Sequence, residues 1–300
     1  FFFSSAMAKA ITLAILLSLS ASASAFVAPA LPLSSRSVAA SGALGLKANW
    51  LIPNSNKVVV LGGAGFVGSR VSKTLVESGL QVTSVSLSGT PPEWAKDEPW
   101  VEQVEWTAGD SAKDDLKGLM RGSKAVVSCV GVIGFDNEYL AAGNGPPTVE
   151  GCQQAKAAGV PRFVYVSVAD AVRDNVGGIA LQGYFAGKKE SEAAIAETYG
   201  PERSLVVGPG FIYGGDSFAI SPPRVNQAYG SLVENTLSLA PFKALAGALP
   251  GVAGLALQPP VCVDDVAKAV TAGVLGLQSG RVDGTESIKA AGQAAATQAA

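Results

Sequence analysis

The chain of 300 residues predicts an α/β fold, a doubly wound parallel sheet with a small C-terminal cap. Three observations predict it. Short apolar runs rich in β-branched residues alternate with segments of helical periodicity, the pattern of a parallel sheet covered on both faces. The first such run, Val58-Val59-Val60-Leu61, breaks straight into Gly62-Gly63-Ala64-Gly65-Phe66-Val67-Gly68, which reads as a strand, a tight turn and a helix start. Beyond Gly208 the alternation gives way to a Gly/Pro-rich stretch, suited to a cap over the carboxyl ends of the strands.

The globular part begins near Lys57. Lys57–Leu61 reads as the first strand, and Phe66–Ser78 as a helix closed by Gly79. Gln81–Ser86 and Val104–Ala108 follow as strands, then a helix from about Ala112 to Met120. Ala125–Val130 is the fourth strand, about Thr148 to Ala158 a helix ended by Gly159, and Arg162–Ser167 the fifth strand. A long helix covers about Gly183–Thr198, and Arg203–Val207 is the sixth strand. The expected organisation is a core at 57–207, a cap of the same domain at 208–285 and a flexible Ala/Gln-rich tail at 286–300.

Residues 1–25 read as a signal peptide. Met7 is taken as the start, Lys9 supplies the positive region, and Ile11–Leu19 is apolar but too short to span a bilayer. Ala21-Ser22-Ala23-Ser24-Ala25 offers a small-residue cleavage site. Residues 26–52 open on Phe26 and continue Ser/Ala-rich and acid-free to about Ala48. A signal peptide followed by such a segment, with an Ala25-Phe26 junction, resembles the bipartite presequence of algae whose plastid lies inside the endomembrane system. Secretion by the signal peptide alone is the other reading.

Composition excludes several classes of function. The net charge of −2 argues against a nucleic-acid surface. The chain has no histidine, which removes Ser-His-Asp triads, imidazole proton transfer and most zinc sites. Cys129, Cys152 and Cys262 lack metal-ligand spacing and read as buried free thiols, so no metal is expected. Chemistry falls to Tyr, Lys, Ser, Asp, Glu or Cys.

The glycine turn has the layout that binds a nicotinamide dinucleotide, with the spacing Gly-x-x-Gly-x-x-Gly. Gly62 allows the sharp exit from the strand, Gly65 lets the pyrophosphate approach the backbone, and Gly68 lets the helix pack closely on the sheet. Backbone N–H groups over Gly63, Ala64, Phe66 and Val67 at the helix start would face the phosphates. At the end of the second strand Ser86-Leu87-Ser88-Gly89 carries neither the acid that binds the ribose of NAD nor an arginine for the phosphate of NADP. Ser86 and Ser88 can still offer hydroxyls. Asp110 either accepts from the adenine amino group or caps the next helix. Val130 and Gly131, leaving the fourth strand, complete the expected cofactor-binding set.

Tyr184-x-x-x-Lys188 places a phenol and an ammonium on one helix face. A nearby lysine favours the phenolate and lowers a pKa that starts near 10, which suits carbonyl–alcohol chemistry. Lys188 can also hold the nicotinamide ribose. Ser167, at the end of the fifth strand, either binds a substrate oxygen or satisfies local backbone. Tyr184, Lys188 and Ser167 are the candidate catalytic residues.

With the glycine turn, Asp110 and Tyr184-x-x-x-Lys188 in this order, the chain resembles the extended and atypical short-chain dehydrogenase/reductases. Lys57–Gly89, Gly159–Ser167, Gly183–Glu192, Pro209–Gly214 and Pro259–Ala269 are similar to one branch of them. That branch includes the Rossmann-fold subunit of mitochondrial complex I, a ubiquinone-biosynthesis accessory protein and plastid homologues. Two positions depart from it: Leu87 and Gly208 each stand where the branch commonly has arginine. The resemblance implies an NAD(P)-binding Rossmann fold related to NAD-dependent epimerase/dehydratases. It tilts the cofactor, NADP or NAD, toward NADP. It also implies either an oxidoreductase for a carbonyl or quinone-like substrate in the plastid, or an accessory factor of little turnover that serves a quinone-pathway or electron-transport complex.

The apolar segment Ser231–Val261 bears on both readings. Leu237, Leu239, Phe242, Leu245, Leu249, Leu255 and Leu257 dominate it, and Pro241 and Pro250 forbid one long helix. It can shape a lipid-like or quinone pocket, rest on a membrane-associated complex near the thylakoid, or simply pack the cap.

Overall fold

The computed structural model describes residues 56–299, apart from 135, 179, 216–218, 221–222 and 250. The presequence expectations at 1–25 and 26–52 lie outside the described residues. Strands β1 (Lys57–Leu61), β2 (Gln81–Ser86), β3 (Val104–Ala108), β4 (Ala125–Ser128), β5 (Phe163–Val166) and β6 (Ser204–Gly208) follow the sequence pattern closely. Four two-residue strands come next: β7 (Ile212–Tyr213), β8 (Ala219–Ile220), β9 (Pro223–Arg224) and β10 (Val261–Cys262). The chain then returns to the sheet as β11 (Gly280–Asp283). The order is β11-β6-β5-β4-β1-β2-β3, and every pairing in this sheet is parallel. Chain order reverses between β1 and β4, the switch point outside which ligands bind in such sheets.

The helices are α1 (Phe66–Glu77), α2 (Lys117–Met120), α3 (Asn137–Asn144), α4 (Pro146–Ala157), α5 (Asp170–Val176), α6 (Gln182–Tyr199), α7 (Gln227–Leu237), α8 (Ala240–Ala248), α9 (Gly251–Leu255), α10 (Val263–Leu275) and α11 (Gly284–Ala299). The period-2 alternation of β1 sorts them into two layers. Val58 and Val60 face Val71 and Leu75 of α1 and Val266 and Val270 of α10. Val59 and Leu61 face Cys152 of α4 and Ile195 of α6, beside Phe163 and Tyr165 of β5. Each fully buried valine contributes on the order of 1.5–3 kcal/mol, so this strand anchors both faces.

Three expectations are corrected. The helix expected from Ala112 shrinks to Lys117–Met120. Asp114 accepts from the Asp110 N–H, Asp110 from Ala112 N–H and Asp115 from Lys117 N–H, and these local bonds hold the segment in turns. The cap is narrower than 208–285, because α10 packs under the sheet and β11 extends it beside β6. The tail expected to be flexible is helical through Ala299, with Ile288 and Ala291 buried in the core. The cap proper is three short helices, α7 to α9, and Pro241 stands in the first turn of α8, as a proline should.

Candidate functional site

The glycine turn lies at the carboxyl end of β1. Gly62 has φ +76° and donates its N–H to Val85 O at 2.8 Å, and Gly65 N–H closes on Gly62 O at 3.0 Å. Gly65 is exposed, and a Cβ there would meet only Gly62 O, at 3.2 Å. It then serves as N-cap of α1, with no side-chain cap and no acidic residue in the first turn. An exposed glycine before an uncapped helix start fits a pyrophosphate. Ala64, Phe66 and Val67 flank it half-buried. Gly68 does something other than the sequence suggests. A Cβ there would lie 2.1 Å from Gly62 O and 2.8 Å from Gly63 Cα, so this glycine lets the helix close on the turn itself. A Cβ on Gly63 would lie 2.2 Å from Ser84 Oγ on β2.

The neighbouring loops complete the cleft. Ser86 Oγ accepts from Gly89 N–H at 3.2 Å and lies 3.4 Å from Ser88 Oγ, while Leu87 between them is 79% exposed. Asp110 spends its carboxylate locally, on Ala112 N–H at 2.9 Å and Lys113 Nζ at 3.0 Å. The Ala112 N–H, helped by Lys113, holds it below the usual carboxylate range. It does not cap the next helix, whose N-cap is Leu116, but closes the turn that precedes it. Val130 and Gly131 leave β4 beside Lys188. Lys188 Nζ donates to Val130 O at 3.4 Å and Val166 O at 3.1 Å, and a Cβ on Gly131 would sit 3.3 Å from that ammonium. The ammonium also lies 5.6 Å from the Tyr184 ring centre and 4.9 Å from that of Tyr165. Ser167 is buried, donates its hydroxyl to Glu192 Oε1 and bonds Val207 O through its N–H. The structure therefore gathers Val130, Gly131 and the Tyr184 ring around the Lys188 ammonium between the ends of β4 and β5, with Ser167 at the end of β5 turned to Glu192.

Residues 62–212 match the family described as NAD(P)H-binding. The chain belongs to the NAD(P)H-binding family. Among relatives, an uncharacterized chloroplastic protein of Arabidopsis thaliana is 35% identical over 235 residues, 74% of this chain and 75% of that one. MIOREX complex component 2 of Saccharomyces cerevisiae is 27% identical over 210 residues, 55% of this chain and 76% of that one. Two of the solved structures that share the fold illustrate the likeness. A UDP-N-acetylglucosamine 4-epimerase of Methanobrevibacter ruminantium has a TM-score of 0.55 at 17% identity, over 76% of each chain. The Bordetella bronchiseptica enzyme WbmH in complex with NAD+ has a TM-score of 0.53 at 18% identity, over 77% of this chain and 75% of that one. The fold is thus that of the NAD(P)-binding epimerase-like Rossmann proteins.

In this NAD(P)H-binding protein the electrostatics of the Tyr184–Lys188 pair differ from the simple expectation. Burial pushes the Tyr184 phenol up, and the Lys188 ammonium only opposes it. Burial likewise pushes Lys188 down, with Tyr184, Cys129 and Glu192 opposing. Burial thus keeps the phenol protonated at neutral pH. Burial pushes the Cys129 thiol up to about 12 and Cys152 to about 11, so neither is a nucleophile at neutral pH. Among the described residues no group of acids and thiols could hold a metal, and no helix is long and apolar enough to cross a membrane.

Two site residues escaped the sequence reading. Asn144, buried at the end of α3, takes Val132 N–H at 3.2 Å and donates to Val132 O at 2.9 Å, so it pins the loop that carries Gly131. Nothing in the local sequence marks it. Glu192 did leave a signal, since it continues the Tyr184–Lys188 interval of four.

Proposed function

We propose that this NAD(P)-binding protein is a plastid oxidoreductase acting on a carbonyl or quinone-like substrate. A bound nicotinamide would supply or take the hydride. Tyr184 gives the proton to the substrate oxygen, and the Lys188 ammonium steadies the phenolate that remains. Lys188 is itself anchored on Val130 O and Val166 O, between β4 and β5, with its ammonium 5.6 Å from the Tyr184 ring centre. That anchorage is the observation that carries the reading. NADP is favoured over NAD because no carboxylate follows β2 to repel a 2′-phosphate, and Ser86 and Ser88 offer hydroxyls there.

An apolar substrate suits the rim. Leu87, Ile133 and Phe211, from the loops after β2, β4 and β6, are exposed, as are Leu239, Leu245 and Leu249 of the cap. Plastid residence is supported by the presequence pattern and by the chloroplastic relative. A second reading, an accessory factor of a larger assembly, is favoured by one observation: the Ser167 hydroxyl is already committed to Glu192. The yeast relative is named as a complex component, which agrees with it.

Titration of the full chain with NADPH and NADH, followed by protein and nicotinamide fluorescence, tests the common ground. NADPH should bind more tightly than NADH. Turnover of a quinone or aldehyde panel with NADPH would then support the enzyme. Binding without turnover across that panel would support the accessory factor, and absence of binding would remove both.

A further inference from the structure

Glu192 stands one turn beyond Lys188 on α6, and three other elements converge on its carboxylate. Ser167 Oγ donates to Oε1 from the end of β5. Arg281 Nη1 donates to the same oxygen at 3.0 Å from β11. Arg173 Nη1 donates to Oε2 at 3.0 Å from α5. Arg281 reaches Glu192 through a gap in the neighbouring strand. β11 pairs with β6 so that Arg281 lies opposite Val206, and Asp283 opposite Gly208. A Cβ on Gly208 would lie 3.0 Å from Arg281 Nη2, 2.2 Å from Asp283 Oδ1 and 3.0 Å from Val168 O. The Asp283 carboxylate, with the Arg281 guanidinium behind it, thus fills the space that a side chain at position 208 would enter. The guanidinium is fixed there by Val168 O at 2.9 Å, Asp170 Oδ1 at 2.9 Å and Asp283 Oδ1 at 2.7 Å.

We infer that Arg281 and Glu192 are positioning residues that set the hydrogen-bond direction of Ser167. The serine proton is turned inward to Glu192, so at the cleft Ser167 meets a ligand as an acceptor. Its partner at the nicotinamide end is a donor, a hydroxyl or an amide N–H. A carbonyl oxygen in that site takes its proton from Tyr184 alone. The inference rests on the reading of this cleft as a nicotinamide site.

The test is a double-mutant cycle with a conservative variant, on the full chain, read by NADPH fluorescence titration and by thermal melting. Arg281→Ala and Ser167→Ala should each weaken NADPH by about tenfold. The double variant should bind no worse than Ser167→Ala alone, because Arg281 acts through the serine. Arg281→Lys, which keeps a cation able to reach Glu192 Oε1, should by contrast retain most of both affinity and melting temperature. Losses that add in the double variant, or a melting temperature retained without affinity in Arg281→Lys, would overturn the inference and leave a merely structural ion pair. If the unaltered chain binds neither NADPH nor NADH, the nicotinamide reading itself fails, and the inference with it. Wild-type binding therefore separates the two failures.

Discussion

At the scale of single residues, the site depends on atoms that are missing as much as on those present. Gly68→Ala would place a methyl 2.1 Å from Gly62 O, a backbone atom that cannot swing aside. It should cost about 1–3 kcal/mol of stability by overpacking and abolish NADPH binding, which melting and titration together would show. Gly65→Ala is the contrasting case. Its Cβ would meet only Gly62 O at 3.2 Å, so the fold should hold while dinucleotide affinity falls. A stable Gly65→Ala protein with unchanged affinity would count against the phosphate position. Tyr184→Phe should leave NADPH affinity intact and lower turnover of an active substrate roughly 10²–10⁴-fold, the contribution of a positioned general acid. The sequence made these glycines visible through their spacing. It could not show that Gly68 meets the turn and not the sheet, because that depends on how α1 is seated.

At the scale of elements, α6 carries the site and is held at its N-terminus and at its middle. Its N-terminus follows Leu181, whose φ of +58° is the left-handed exception among the described non-glycine residues. Gly183 N–H bonds Asn137 Oδ1 at 3.0 Å, and a Cβ on Gly183 would collide with Asn137 O at 1.9 Å, so α3 and α6 dock backbone to backbone. Further along, Glu192 fixes the helix to β5, α5 and β11. Burial raises the Glu192 pKa, but the Ser167 hydroxyl and the Arg281 and Arg173 guanidiniums outweigh it and leave the group lowered from 4.5. A carboxylate depressed in the folded state contributes stability above its unfolded value, and loses it as pH falls through the folded one. Melting temperature should therefore drop as pH goes below about 4.5, and Glu192→Gln should flatten that limb. An acid limb equally steep in Glu192→Gln would mean that other carboxylates govern it.

The strands and α6 were legible because continuous β-branched runs and long helical periodicity are local signals. The short α3 and α5 were not, since seven or eight residues average too little periodicity and their support is tertiary. β11 was hidden for a similar reason. Gly280-Arg281-Val282-Asp283 buries only Val282 fully, and only its pairing with β6 makes it a strand.

At the scale of the whole molecule, the cap is an excursion of the sheet, leaving after β6 and returning through α10 to β11. One buried contact ties it down. Tyr213 OH donates to Glu234 Oε2 at 2.7 Å, and Lys289 Nζ donates to Glu234 Oε1 at 2.5 Å, linking β7, α7 and α11. Glu234→Ala would strand the buried Tyr213 hydroxyl. It should cost about 1–3 kcal/mol, read as a lower denaturation midpoint, with NADPH affinity changed little because Glu234 lies on α7, outside the glycine turn and the helix that carries Tyr184 and Lys188. A large loss of affinity in a protein of unchanged stability would mean that the cap closes on the cofactor directly.

The placement of β11 also orders events in time. Some seventy residues separate β6 from the strand that pairs with it, so during synthesis the sheet emerges with β6 as a bare edge, open to pairing with other chains. Glu192 and Arg173 are made long before Arg281 is. The closing strand thus arrives last, and a nascent or clipped chain ending before residue 280 would hold every glycine of the turn together with Tyr184 and Lys188, yet have an unfinished sheet. The sheet can therefore close only after the cap has been made and passed.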